Sequence, residues 1–104
     1  MQVNVNTDRN IEGTEELYAY VRNKVENALR HVGRHITRVE VHLSDENSIK
    51  EGVNDKRCMM EARLVGLKPV AVSDSAMTLH QAIDGAGDKL ASLIDSTLGK
   101  LRDK

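Results

Sequence analysis

Basic side chains on two amphipathic segments are the residues of this chain best suited to chemistry, and that chemistry is contact with phosphate. Arg22, Lys24 and Arg30 belong to the first segment. At 100° per residue, Arg22 and Lys24 fall on opposite flanks of its apolar stripe, whereas Arg30 points away from the stripe. The three side chains therefore form a broad basic surface. Phosphate contact and ordinary solvation of a helix surface are the two interpretations that this pattern leaves open.

The second amphipathic segment separates its charges by sign. Lys89 and Lys100 share one flank, and Asp84, Asp88 and Asp95 form a stripe on the outward and opposite side. Such an arrangement favours a polyanion at one edge and repels it from the other. A solvated helix face commonly has the same appearance, so the pattern supports phosphate contact without deciding it.

The sequence offers little for metal binding or catalysis. His31 and His35 stand on either side of an expected helix end, and Cys58 is predicted to point inward from its strand while His42 points outward. No Cys-x-x-Cys or His-Glu-x-x-His spacing occurs. No nucleophile, base and orienting residue occur together. We therefore expect no metal site, no cofactor, no small-molecule substrate and no enzymatic activity.

Composition narrows the class of protein. At 104 residues the chain is expected to be one domain, residues 1–104. Fifteen Lys and Arg against sixteen Asp and Glu give a net charge of −1, which is not the profile of a strongly basic nucleic-acid binder. An aromatic content of 2% argues against a protein that stacks bases on aromatic rings. One cysteine, no apparent signal peptide and no membrane-spanning apolar run predict a soluble cytoplasmic protein.

The spacing of apolar residues predicts the elements that must position these side chains. Alternating apolar and polar residues predict strands at residues 3–5, 39–43, 58–64 and from 70 to 72. A 3.6-residue period predicts helices from Thr14 to a stop at Gly33 and over residues 78–104, and residues 44–54 read as a long polar hairpin loop. The order β-α-β-β-β-α predicts an α+β fold, a four-stranded mostly antiparallel sheet with two helices packed on one face.

Four short strings carry a resemblance to a known family. They are MQVNV at residues 1–5, EGTE at residues 12–15, and LHQAID at residues 79–84 followed by DKL at residues 88–90. Together with the order of elements, they resemble the ribosome hibernation factors across nearly the whole chain. This family comprises the hibernation-promoting factor and the ribosome-associated inhibitor, and is also labelled the sigma-54 modulation proteins.

The resemblance implies a non-catalytic cytoplasmic factor that occupies the mRNA and tRNA channel of the small ribosomal subunit and silences translation under stress or in stationary phase. Its contacts are implied to run from Lys and Arg of the two helices to rRNA phosphates. Lys24, Arg30, Lys89 and Lys100 stand where the family places basic residues, and Arg22 and Arg102 join them on charge alone. Since the sequence ends after the second helix, it resembles the short form, for which pairing of ribosomes requires another protein.

Departures from the family pattern keep alternatives open. Ser92, Asp95 and Ser96 stand where short members carry further basic residues, and His80 replaces the usual Tyr. The acidic stripe and the acidic loop motivate the main alternative, a protein-binding stress or regulatory module of the same fold with weak or no ribosome binding. A double-stranded RNA-binding domain ranks third, because residues 78–81 lack the basic cluster expected there. A hydrolase ranks last.

Overall fold

The computed structural model describes residues 1–46 and 55–102, and its elements follow the predicted order. The strands are β1 (Gln2–Thr7), β2 (Ile36–Asp45), β3 (Lys56–Leu64) and β4 (Val70–Ala76), and the helices are α1 (Glu15–Leu29) and α2 (Leu79–Arg102). The strands lie in the order β1-β2-β3-β4, with β1 parallel to β2 and the other two pairs antiparallel. The predicted α+β fold, with its mostly antiparallel sheet and two packed helices, is confirmed.

Helix α1 provides the crossover that a parallel pair of strands requires. It begins after Thr14, whose side-chain oxygen accepts a hydrogen bond of 3.1 Å from the Leu17 backbone N–H. Glu15 and Glu16 lie in its first turn, where negative charge is favourable beside unpaired backbone N–H groups. These local features fix the start of α1 between β1 and β2.

The predicted end of the first helix is wrong. The α-helix stops at Leu29 and is followed by a 3-10 helix, Arg30–His35, which contains Gly33. Gly33 does not adopt the left-handed conformation of a glycine helix stop, whereas Gly66 in the turn after β3 has a φ of 72°. The tighter winding leads directly into β2, where the Ile36 backbone N–H donates to the Gly33 carbonyl.

One face of the sheet and the inner faces of both helices form an aliphatic core. The sheet contributes fully buried side chains from its two central strands, and α2 contributes the residues of its apolar stripe. They include Val39, Val41, Leu43, Cys58, Met60, Ala62, Ala82, Ile83, Ala86, Leu90 and Ile94. Burial raises the pKa of the Cys58 thiol to about 12. Cys58 therefore packs as a small apolar side chain, and His42 lies exposed on the other face of the sheet, as predicted.

The β2–β3 hairpin is longer than the sequence predicts. Ser44 and Asp45, assigned to the polar loop from their composition, extend β2 instead. The extension is stabilised by an ion pair of 3.0 Å between Lys56 and Asp45 and by a hydrogen bond from the Glu46 N–H to the Asp55 carbonyl. The rest of the predicted loop, residues 47–54, lies outside the described part of the chain.

Two glycines let α2 approach its neighbours on two sides. A Cβ at Gly85 would overlap the carboxylate of Asp74 on β4, and a Cβ at Gly87 would lie 2.8 Å from Cε of Lys24 on α1. Glycine inside a helix costs about 1 kcal/mol relative to alanine. Close packing against β4 on one side and α1 on the other explains why α2 contains both.

Candidate nucleic-acid interface

Helix α2 lies beside α1 and the 3-10 helix that follows it, and three polar contacts, here called the seam, join them. The Tyr20 hydroxyl donates to Asp84 at 2.8 Å, Lys24 Nζ donates to Asp88 at 2.7 Å, and His31 Nε2 lies 2.8 Å from Asp95. Each pair is separated by 64 residues in the chain. A constant separation means that the two helices run parallel and in register, so residue n of α1 faces residue n + 64 of α2.

The seam changes the interpretation of the acidic stripe of α2. The stripe lies on the side of α2 away from Lys89, as predicted. It is not a free outward surface, however. Side chains of α1 contact Asp84 and Asp88, and His31 of the 3-10 helix contacts Asp95. The sequence prediction treated α2 alone, and so missed the partners that α1 and the following 3-10 helix bring to this side.

Lys24 is positioned by the seam. Its aliphatic stem packs over Gly87, and its ammonium group ends at Asp88 on the solvent side of the two helices. A long lysine stem commonly covers apolar surface in this way while its charge stays in water. Lys24 is thus on the helix surface, as predicted, but it is already paired with a carboxylate.

Lys89 lies on the other side of α2, which we call the edge flank because it faces edge strand β4. Its ammonium group donates to the Asp74 carboxylate at 3.0 Å and to the Ser73 carbonyl oxygen at 3.1 Å. Asp74 is opposite Cys58 in the β3–β4 register, and so it reaches the helix side of the sheet. Lys24 and Lys89 therefore sit on opposite sides of α2.

Arg22, Arg30 and Lys100 are exposed. Arg30 donates to the Asn27 side-chain oxygen at 2.7 Å, whereas Arg22 and Lys100 have no hydrogen bond or ion pair with any described residue. Eleven residues separate Lys100 from Lys89, which puts both on the edge flank, roughly 16 Å apart along the axis. Arg102 ends α2, and its side chain lies outside the described part of the chain. The candidates are thus spread over the helix layer and do not form one cluster.

A stacked ring pair is a feature that the sequence analysis missed. The rings of Tyr20 and His80 lie 4.0 Å apart between centroids at an interplanar angle of 13°. The hydrogen bond to Asp84, with a contribution from burial, raises the pKa of the Tyr20 hydroxyl. His80 and Asp84 are one helical turn apart on α2, and both contact Tyr20. Their spacing is the sequence signal from which a shared partner could have been predicted.

Neither a metal site nor a membrane-spanning helix is found within residues 1–46 and 55–102. No group of three or more His, Cys, Asp or Glu side chains there could hold a metal ion. None of the helices in that part of the chain combines the length and apolar character that crossing a membrane requires. A groove of about 700 Å³ beside the C-terminal part of α2 is lined by Val32, Leu67 and Leu98 among others, and by none of the described basic candidates.

The fold and these side chains can be set against known proteins. A family model described as sigma 54 modulation protein / S30EA ribosomal protein matches residues 4–102. The chain belongs to this family. The resemblance inferred from the sequence is thereby confirmed, and the family is one of ribosome hibernation factors and not of enzymes.

A relative and two solved structures are informative. The chain is 30% identical over 82 residues to a ribosome hibernation promotion factor from Picosynechococcus sp., a match that covers 79% of this chain and 42% of the relative. The chain thus spans less than half the length of that relative.

Its fold is similar to that of the Protein Y N-terminal domain from Thermus thermophilus, with a TM-score of 0.73, 24% identity and coverage of 93% of this chain and 99% of that one. It is also similar to a ribosomal subunit interface protein from Coxiella burnetii, with a TM-score of 0.73, 13% identity and full coverage of both chains. At these identities the two likenesses establish the fold.

Proposed function

We propose that this chain binds the small ribosomal subunit in the channel used by mRNA and tRNA, and silences translation under stress or in stationary phase. Membership of the hibernation-factor family supports the proposal. The single observation that carries it is the exposure of basic side chains across the helix layer, at Arg22, Arg30, Lys89 and Lys100. We propose rRNA phosphates as the partner of this surface, with no catalysis, cofactor, small-molecule substrate or membrane involved, and the cytoplasm as its location.

The edge flank supports phosphate contact most directly. Lys89 and Lys100 lie along the same side of α2, and Lys100 has no carboxylate partner among the described residues. Arg22 on α1, and Arg30 at the start of the 3-10 helix that follows α1, are likewise free of carboxylates in the described part of the chain. Phosphate contacts of this kind position a protein on RNA without reading its bases, which suits occlusion of a channel.

A net charge of −1 predicts moderate and salt-sensitive affinity. Each phosphate contact by a lysine or arginine releases condensed counterions, so the binding constant falls as salt rises. The described surface of the helix layer offers only a few such contacts, which predicts that the complex dissociates at moderate salt. Pairing of whole ribosomes, if this chain takes part in it, is proposed to need another protein.

Co-sedimentation with purified small ribosomal subunits over a series of salt concentrations tests the proposal. We expect binding at low salt, release at moderate salt, and several-fold weaker binding of Lys100→Glu. Arg63→Glu is the control for charge reversal, because Arg63 is exposed on β3 between the buried Ala62 and Leu64 and so lies on the sheet face away from both helices. A chain that stays in the supernatant at every salt concentration would contradict the proposal.

The alternative is a protein-binding stress or regulatory module of the same fold with weak or no ribosome binding. The exposure of Asp88 and Asp95 along the seam is the observation that favours it. In that case, charge reversal at Asp88 would abolish capture of a protein partner while the fold stays intact, and ribosome binding would be absent throughout. Circular dichroism of each variant separates loss of a partner from loss of the fold.

A further inference from the structure

We propose that Asp74 and Asp88 compete with rRNA phosphates for Lys89 and Lys24, so that each lysine binds RNA only when its internal ion pair opens. The inference rests on the function proposed above and adds the residues that limit affinity. It divides the basic surface into two classes: side chains free to bind phosphate, and side chains held by a carboxylate.

The Lys24–Asp88 pair is the shorter of the two. Its N–O distance is 2.7 Å, and its side chains are 24% and 73% exposed for Lys24 and Asp88 respectively. The lysine stem is held against Gly87, whereas the carboxylate is open to solvent. A phosphate that approaches this ammonium group therefore meets Asp88 first, and is repelled by it.

In the Lys89–Asp74 pair the lysine is the more exposed partner, whereas in the Lys24–Asp88 pair the carboxylate is. Lys89 is 55% exposed, whereas Asp74 is 26% exposed and lies against Gly85 on the sheet side of the helix. The ammonium group also donates to the Ser73 carbonyl, so two of its three donors are in use. Binding a phosphate requires either the third donor or the opening of the ion pair.

Both carboxylates sit on regular elements whose backbones are fixed by packing. Asp74 belongs to β4 and Asp88 to α2, and the two glycines of α2 hold the partners at close range. When a lysine turns toward RNA, its former carboxylate is left without a cation and near a phosphate. Like charges at such distances repel, and this repulsion opposes binding.

Two isosteric substitutions test the inference. Asp88→Asn and Asp74→Asn remove one negative charge each, and we expect each to tighten binding to small ribosomal subunits by roughly two- to five-fold, the range of a surface ion pair. Glu26→Gln is the matched control. It makes the same charge change at an exposed α1 residue that has no ion pair with a described residue, and we expect a smaller effect from it.

A double-mutant cycle separates release of the lysine from a change in net charge. In a Lys24→Gln background, Asp88→Asn should tighten binding no more than Glu26→Gln does, because no ammonium group remains to be released. Circular dichroism of the Asn variants checks that the fold is retained. Because Asp88 is mostly exposed, Asp88→Asn should leave the fold intact and can test the inference even if Asp74→Asn perturbs β4.

The outcomes distinguish the inference from the proposed function. If the unmodified chain binds but neither Asn variant binds more tightly than Glu26→Gln, competition by the carboxylates is wrong and ribosome binding stands. An Asp88→Asn effect that persists in the Lys24→Gln background also overturns it. If the unmodified chain binds at no salt concentration, both the proposed function and the inference fall.

Discussion

The two sides of α2 use the same kinds of residue to different ends. On the seam, a tyrosine, a lysine and a histidine each meet a carboxylate at a fixed separation in the chain, and a ring pair stacks beside them. On the edge flank one lysine is tied to β4, and the next basic residue, Lys100, is free within the described structure. The comparison teaches that the packing of neighbouring elements leaves some charged side chains of a helix unpaired and ties others to a carboxylate. We therefore expect loss of the Tyr20–Asp84 contact in the seam to change stability more than ribosome affinity, and loss of Lys100 on the edge flank to do the reverse.

The largest expected effect comes from a substitution at Gly85, where α2 lies closest to β4 on the edge flank. Gly85→Ala places a Cβ on the Asp74 carboxylate, whereas Gly99 has nothing within 4 Å of its Cβ position. Gly99→Ala should gain up to about 1 kcal/mol from helix propensity alone. We expect Gly85→Ala to be less stable than Gly99→Ala by about 1–3 kcal/mol, because Asp74 must move and its ion pair opens. Urea denaturation of both variants measures this difference, and equal stabilities would contradict the packing described here.

The next effect separates the two sides of α2 directly. Tyr20→Phe removes the hydrogen bond to Asp84 and should lower the free energy of unfolding by about 1 kcal/mol, with ribosome affinity unchanged. Lys100→Gln should leave stability unchanged, weaken binding, and reduce the slope of log affinity against log salt by about 0.7–0.9. Denaturation and salt-dependent co-sedimentation are measured on both variants. Loss of affinity in Tyr20→Phe with normal binding by Lys100→Gln would reverse the comparison.

The smallest effect concerns the pH dependence of the seam. The hydrogen bond to Asp84 raises the pKa of Tyr20, which favours the neutral hydroxyl in the folded chain. Its contribution to stability is therefore complete below the ordinary tyrosine pKa of about 10, and is lost as pH rises through the raised value. Ultraviolet titration of a Tyr18→Phe variant, in which Tyr20 is the remaining tyrosine, should give a pKa above 10. Adding Asp84→Asn should lower it, and an unchanged value would argue against this hydrogen bond in solution.

Local pattern was sufficient to predict most of the fold. Val39, Val41 and Leu43 alternate with polar residues, and Leu79, Ile83 and Leu90 repeat with a helical period, because burial of one face dictates both spacings. The family followed from short strings of residues in the same elements. The end of the first helix was wrong, since Gly33 reads as a stop by type whereas the chain winds past it in a 3-10 helix. The start of the hairpin loop was wrong because strand pairing with β3 outweighs the low strand propensity of Ser44 and Asp45.

The candidate site could be predicted only by residue type. Lysine and arginine on amphipathic helices suit phosphate contact and ordinary solvation alike, and periodicity predicts only which flank of its own helix each one occupies. The partners of Lys24 and Lys89 were beyond that reasoning. They lie 64 and 15 residues away along the chain, on elements whose relative placement depends on packing over the whole sheet.

By itself, the amino-acid sequence determined the order of elements, the faces that are buried, the family and the kind of partner that its basic residues suit. Each of these depends on residue types and on spacings within a single element. Tertiary structure alone decided which charges are free, because ion pairs between α1 and α2, and between α2 and β4, exist only once the elements are packed. The physical reason is that periodicity specifies the direction of a side chain about the axis of its own helix. The carboxylate that pairs with a lysine is supplied by another part of the chain.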